Sequence, residues 1–249
     1  MKNFLFLIAI VLTTLTSCTF TENMTIAENG SGKYSVDMDG ATLMSMAGDQ
    51  LAASMGEKQP KNIDTTFTFK QLFVEKKDSI AKLPLATQQE LKKLENVVVN
   101  MKMNAENKVF LLKFNNDFKS VSELQDVMKT LQTLQKIDSK SGGDSMGLGN
   151  GMFSNNSDVT YSYAGKTFSR KATLLPKENN KAQQDSLGMN KMIFASSNYV
   201  LKYNFPKRIK KVSNPNALFS EDKKSLTIQY PFTDYMEHPE KLDLIVEFE

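Results

Sequence analysis

Apolar and polar residues alternate with period two over much of this chain, and turn-forming residues separate the alternating stretches. Residues 20–27 and 33–38 flank Asn29-Gly30-Ser31-Gly32. Asn-Gly between alternating runs closes tight hairpins, because both residues adopt positive φ at little cost. Val97, Val99, Met101 and Met103 alternate with Val98, Asn100, Lys102 and Asn104. A turn at Glu106-Asn107 leads into residues 108–114, apolar on both faces and therefore predicted as a central strand. Residues 159–163 and 167–174 form a third hairpin around Ala164-Gly165. A helix is predicted after each hairpin, over 41–55, 120–137 and 177–192. The second has the strongest signal: Ser120-Val121-Ser122-Glu123 reads as a capping box. Val121, Leu124, Val127, Met128, Leu131, Leu134 and Ile137 then form one helical stripe.

The last fifty residues read as strand. Tyr199, Leu201, Tyr203 and Phe205 alternate up to Pro206; Leu226, Ile228 and Tyr230 do the same, as do Leu242, Leu244, Val246 and Phe248. A short turn or helix over 234–238, stopped by Pro239, links the last two. The expected fold is α+β: an antiparallel sheet built from successive β-hairpin–helix (ββα) units with a strand-rich C-terminal part, the helices packed on one sheet face. The expected organisation is a leader (1–17), an α+β part (18–138), a Gly/Ser/Asn-rich loop (139–157) and a β-rich part (158–249). The last forms one compact unit with 18–138.

The leader has its own logic. Lys2 precedes the apolar run Phe4-Leu5-Phe6-Leu7-Ile8-Ala9-Ile10-Val11-Leu12, too short to span a bilayer and flanked as a secretory signal is. The only cysteine follows, in Leu15-Thr16-Ser17-Cys18. This arrangement resembles the lipobox of bacterial lipoproteins. The resemblance implies cleavage before Cys18 and acylation (palmitate-type chains) of that residue, which holds the protein on a membrane. Each buried CH₂ contributes roughly 0.8 kcal/mol, so two or more chains anchor stably. Thr19, not aspartate, follows the cysteine, which by the same resemblance implies the outer membrane. Phe20-Thr21-Glu22-Asn23 lacks an acidic run, which favours the periplasmic face.

Composition narrows the chemistry. At 40% apolar and 24% charged the chain is in the globular range, which excludes wholesale disorder, collagen and a polytopic membrane protein. Net charge is +3 and Arg170 and Arg208 are the only arginines, too little to indicate a nucleic-acid partner. One cysteine and one histidine leave no zinc site of ordinary composition, and no metal or other cofactor is expected. Fourteen methionines invite Cu(I), but Met44 and Met46 lie about 200° apart on a helix, and Met101 and Met103 continue the core face of Val97 and Val99. Gly143-Asp144-Ser145-Met146-Gly147 matches the G-x-S-x-G nucleophile pattern, with Asp234 and His238 following in hydrolase order. That chemistry needs the serine on a strained strand-to-helix elbow. Here it sits in a Gly/Ser stretch, so a serine hydrolase using Ser145 is only a minor alternative, no catalytic residue is assigned, and a non-enzyme is expected.

Two blocks carry a further resemblance: Asn198-Tyr199-Val200-Leu201-Lys202-Tyr203-Asn204-Phe205-Pro206, and Ser220-Glu221-Asp222-Lys223-Lys224-Ser225-Leu226-Thr227-Ile228. Together they resemble the strand, Phe-Pro and charged-hairpin pattern of LppM-like envelope lipoproteins, a group connected with envelope glycolipids. The resemblance implies binding of lipid, glycolipid or another apolar ligand. A protein partner in the envelope is the other expected occupant. The competing reading is a structural or assembly lipoprotein without a ligand pocket. Within the 139–157 loop, Met146, Leu148, Met152 and Phe153 are the residues expected to act as a lid or ligand contact, since glycine lets the chain bend and methionine adapts to what it touches.

Overall fold

The structure, a computed structural model, describes residues 18–42, 44–45, 62–124, 157–174 and 194–249. The leader, most of the 41–55 segment, residues 125–137, the 139–156 loop with Ser145, Met146, Leu148, Met152 and Phe153, and the 177–192 segment lie outside these residues.

All three hairpins close where the turn residues placed them. Strands β1 (Thr19–Ile26) and β2 (Gly32–Asp39) pair antiparallel from Thr19 opposite Asp39 to Ile26 opposite Gly32, with Gly30 at φ +82° in the turn. β3 (Asn62–Thr68) precedes β4 (Val98–Asn104) and β5 (Val109–Phe118), the second hairpin. β6 (Ser157–Ala164) and β7 (Thr167–Leu174) form the third, with Gly165 at φ +60°. The C-terminal part adds β8 (Asn198–Asn204), β9 (Ile209–Val212), β10 (Leu218–Phe219), β11 (Ser225–Pro231) and β12 (Leu244–Phe248).

These strands make two sheets. The larger has eight strands in the order β10-β11-β8-β1-β2-β5-β4-β3, and the smaller has four in the order β6-β7-β12-β9. One pairing departs from the antiparallel pattern: β1 runs parallel to β8, with Phe20 opposite Tyr199 and Met24 opposite Tyr203. β5 is central by position, between β2 and β4, but only one of its faces is buried; Leu111 on the other is 42% exposed.

The expected α+β class is overturned. Strands dominate, and the four helices that lie wholly within the described residues are short: α1 (Phe69–Glu75), α2 (Lys77–Ile80), α3 (Leu85–Lys92) and α4 (Phe232–Glu237). Among them α1 and α3 bury one residue each, Phe69 and Leu91, and α2 buries none. Such helices cannot cover the apolar face of an eight-stranded sheet. The four-stranded sheet joins that face in a single core instead. Phe168 of β7 meets Tyr203 and Phe205 edge-on or tilted at 5.4 and 5.2 Å between ring centroids, and Tyr161 of β6 meets Tyr34 of β2 at 6.0 Å. At the other end α4 contributes one aromatic plug, with Phe232 stacked on Phe20 at 4.0 Å.

Of the predicted 120–137 helix, only the start lies within the described residues, and it is not α-helical. Ser120 Oγ accepts from Ser122 N–H rather than from Glu123, and the Glu123 carboxylate takes the N–H of Lys119. Residues Val121–Glu123 form a single 3-10 turn, and Leu124 is extended at φ −60°, ψ 132°. A reciprocal capping box exists elsewhere, at Thr68 and Gln71, where it starts α1.

Candidate functional site

Alternation along β1 turns Phe20, Glu22, Met24 and Ile26 toward the core, which carries a carboxylate into an apolar layer. Glu22 is 1% exposed, between Val36 and Leu201 on the neighbouring strands. The same alternation along β7 turns Phe168, Arg170 and Ala172 inward from the facing sheet. Arg170 Nε and Nη2 donate to Glu22 Oε1 and Oε2 at 3.3 and 3.2 Å. Tyr161 and Tyr199 donate to the same carboxylate at 2.6 and 2.7 Å, and Tyr203 completes the set. The remaining guanidinium nitrogen, Nη1, donates to the Leu242 carbonyl at 3.2 Å.

Burial alone would raise the Glu22 carboxyl; the Arg170 charge and the hydrogen bonds from Arg170, Tyr161 and Tyr203 outweigh it and hold the group below its ordinary 4.5. Burial, and then the Glu22 charge, push Tyr161, Tyr199 and Tyr203 well above their ordinary 10.0. Burial works against the Arg170 charge, but Glu22 more than compensates and keeps it cationic. The constellation is enclosed and its hydrogen bonds are internal, so its role is to join the two sheets in one register. Composition alone did not reveal it. A signal was there nonetheless: Glu22 and Arg170 each occupy an inward position of an alternating strand.

The opposite face of the large sheet is polar, and register sets it out as a grid. One row across β1, β2, β5, β4 and β3 reads Thr19, Asp39, Leu111, Lys102, Asp64. The next reads Thr21, Asp37, Lys113, Asn100, Thr66, and the third begins Asn23, Ser35, Asn115. Two adjoining hollows of about 590 and 850 Å³ lie along these rows and share Asp37, Asn100 and Lys113, so they form one groove. Side chains hold one another in place. Asn23 Nδ2 donates to Ser35 Oγ and Asp37 Oδ2, each at 3.1 Å; Asn115 Nδ2 donates to Asn100 Oδ1 and Asn100 Nδ2 to Thr66 Oγ1, each at 2.8 Å. Lys113 Nζ lies 3.3 Å from Asp37 Oδ2, and Lys102 Nζ lies 2.9 Å from Asp64 Oδ2. Asp37 Oδ1, by contrast, is shielded from solvent and has no hydrogen-bond partner among the described residues. An unmet acceptor of this kind costs about 1–3 kcal/mol, so its presence calls for an explanation.

Cys18 immediately precedes β1. It is buried, and its carbonyl accepts the Asn198 N–H at 3.0 Å. The groove begins one residue further on, at Thr19. Asp234 and His238 do not form a catalytic relay: the Asp234 carboxylate binds Lys241 Nζ at 2.6 Å, and His238 Nδ1 lies 3.4 Å from Glu240 Oε1.

No known family profile matches the sequence, and no curated protein matches it. Among solved structures, the folded domain of LppM from Mycobacterium tuberculosis, determined by NMR, aligns over 93% of this chain and 89% of its own length, at 8% identity and a TM-score of 0.35. A likeness that loose carries no function from one protein to the other.

Proposed function

We propose that this chain is a bacterial envelope lipoprotein, anchored through Cys18, that works by binding rather than by catalysis. The observation that carries the reading is the sequence Leu15-Thr16-Ser17-Cys18 two residues beyond a nine-residue apolar run, with the only cysteine of the chain at the cleavage point. The fold starts at the next residue: Thr19 is already paired on both sides, with Asp39 and with Asn198. An acyl anchor on Cys18 would therefore join a central strand without a tether. No helix among the described residues is long and apolar enough to cross a membrane.

Binding is favoured over catalysis by the chemistry of the groove. Its aspartates Asp37 and Asp64 are committed to lysines, and the one histidine of the chain lies elsewhere, at the end of α4. The ligand classes in play are a lipid, a glycolipid or a protein partner of the envelope. Thr19 after the cysteine supports an outer-membrane address, and the lack of an acidic run in Phe20-Thr21-Glu22-Asn23 supports the periplasmic face. Mass spectrometry of the native protein tests the reading: a diacylglyceryl-modified N-terminal Cys18 is expected, and Cys18→Ser should leave an unacylated precursor outside the outer-membrane fraction. An unmodified Cys18, or normal fractionation of the variant, overturns it.

A further inference from the structure

The strands that lead away from Cys18 end in a basic rim. β8 runs parallel to β1, from Asn198 beside Thr19 to Asn204 beside Thr25, which carries the chain about 20 Å from the anchor end. Beyond it, residues 207–224 hold six basic residues against two acidic ones, a larger positive excess than the +3 of the whole chain. The fold gathers them. Phe205 N–H donates to the Lys224 carbonyl at 2.9 Å and Ile209 N–H to the Lys223 carbonyl at 2.8 Å, so the β8–β9 link and the β10–β11 turn lie side by side. Arg208 Nε lies 3.4 Å from Glu249 Oε1, Lys211 is in register with Glu247, and Asp222 Oδ1 accepts from Ser220 Oγ and the Lys224 N–H. Lys210, Lys223 and Lys224 are exposed and pair with no carboxylate among the described residues. The anchor end has the opposite sign: residues 234–243, which follow Pro231 opposite Asn198, hold four acidic residues and one lysine.

Two large apolar side chains stand beside these lysines. β10 ends the eight-stranded sheet and leads into the turn that carries Lys223 and Lys224, and no strand among the described residues covers its outer edge. Leu218 is 71% exposed and Phe219 48%. We propose that this rim docks an acidic polypeptide segment of a partner protein, its carboxylates interleaved with large apolar side chains. Successive residues of an extended chain point to opposite faces. A segment laid along the β10 edge therefore alternates as Leu218 and Phe219 do: its apolar side chains cover this pair, and its carboxylates meet Lys210, Lys223 and Lys224. Lysines alone would serve any polyanion as point charges; the apolar pair is what favours a polypeptide. The rim faces away from the membrane that Cys18 holds, so that bilayer is not its partner. The inference deepens the binding role proposed above and takes its orientation from the anchor, so it rests on that reading.

The test uses the full protein in neutral detergent micelles, titrated calorimetrically with synthetic peptides of repeated Glu-Glu-Phe, Gln-Gln-Phe and Glu-Glu-Gly. The first is expected to bind, the other two at least tenfold more weakly, and added salt should weaken the first. Lys223→Gln/Lys224→Gln should cut affinity for Glu-Glu-Phe at least tenfold, and Phe219→Ser should reduce it to that for Glu-Glu-Gly. These side chains are exposed, so melting temperatures should stay close to that of the parent protein. Lys210→Glu/Lys224→Glu should instead prefer Lys-Lys-Phe, a reversal that a damaged fold does not produce. Absence of binding to Glu-Glu-Phe overturns the proposal, as does binding that the variants retain unchanged. Tighter binding of phosphatidylglycerol vesicles or of oligothymidylate than of Glu-Glu-Phe overturns the polypeptide as occupant. The anchor is judged separately by the mass of Cys18: an unacylated protein that still binds the peptide sinks the lipoprotein reading alone, and an acylated one that binds none sinks only this inference.

Discussion

Glu22 and Arg170 are 148 residues apart in sequence, on strands of different sheets, and they bind side-on through two parallel contacts with both side chains about 1% exposed. A buried pair of this kind contributes less to stability than to specificity, because removing two charges from water offsets much of their attraction. It penalises any docking of the small sheet that leaves one charge alone.

Breaking the pair should therefore cost more than removing it. Glu22→Leu and Arg170→Leu should each destabilise the fold by about 3–5 kcal/mol, since each strands a buried charge or its donors. The double variant should lose markedly less than the sum of the two. Denaturant unfolding of all four proteins checks this, and strict additivity would show that the two side chains are not coupled.

The network also sets a pH window. Glu22 is held below its ordinary 4.5, so its contribution is present above that value and is lost as pH falls through the lower folded-state value. The three tyrosines are held above 10.0, so their contribution is complete below that value and declines as unfolded-state tyrosines ionise at higher pH. Melting temperature should be flat between these limits and fall on both sides. In Tyr199→Phe/Tyr203→Phe the alkaline fall should be shallower.

Two kinds of glycine should respond differently to alanine. A Cβ on Gly32 would sit 2.0 Å from the Thr25 carbonyl oxygen and 2.5 Å from the Phe118 ring, so backbone would have to move. Gly165 has open space, and its cost is only the positive φ, about 1–2 kcal/mol. Gly32→Ala should thus be the more damaging, and Gly165→Asn should recover part of the loss seen with Gly165→Ala. Thermal melts of the three variants decide it.

At the start of α1 the Thr68 hydroxyl accepts the Gln71 N–H at 3.2 Å, while Gln71 Oε1 accepts the Thr68 N–H at 2.8 Å. Thr68→Ala should cost about 1 kcal/mol and Thr68→Ser much less. Equal losses would show that the hydroxyl is not what matters.

Local order was legible in the chain itself. Asn29-Gly30, Glu106-Asn107 and Ala164-Gly165 located three hairpins, because turn geometry depends on the residues that make the turn. Period-two alternation marked the inner face of most strands, and Glu22 and Arg170 fall on such positions, although neither was expected inside. Capping was not legible: the reciprocal box is at Thr68-x-x-Gln71, which went unread, whereas Ser120-x-x-Glu123, which was read as one, opens a 3-10 turn at Val121–Glu123. What covers the sheet was not legible. An apolar stripe states that a face is buried and is silent about whether helices or a second sheet bury it. The parallel pairing of β1 with β8, the docking of β7 over β1, and the rows of Asp37, Lys113 and Asn100 all join residues far apart in sequence. They follow from register across strands, and register is settled only when the whole apolar surface finds the one arrangement that closes it.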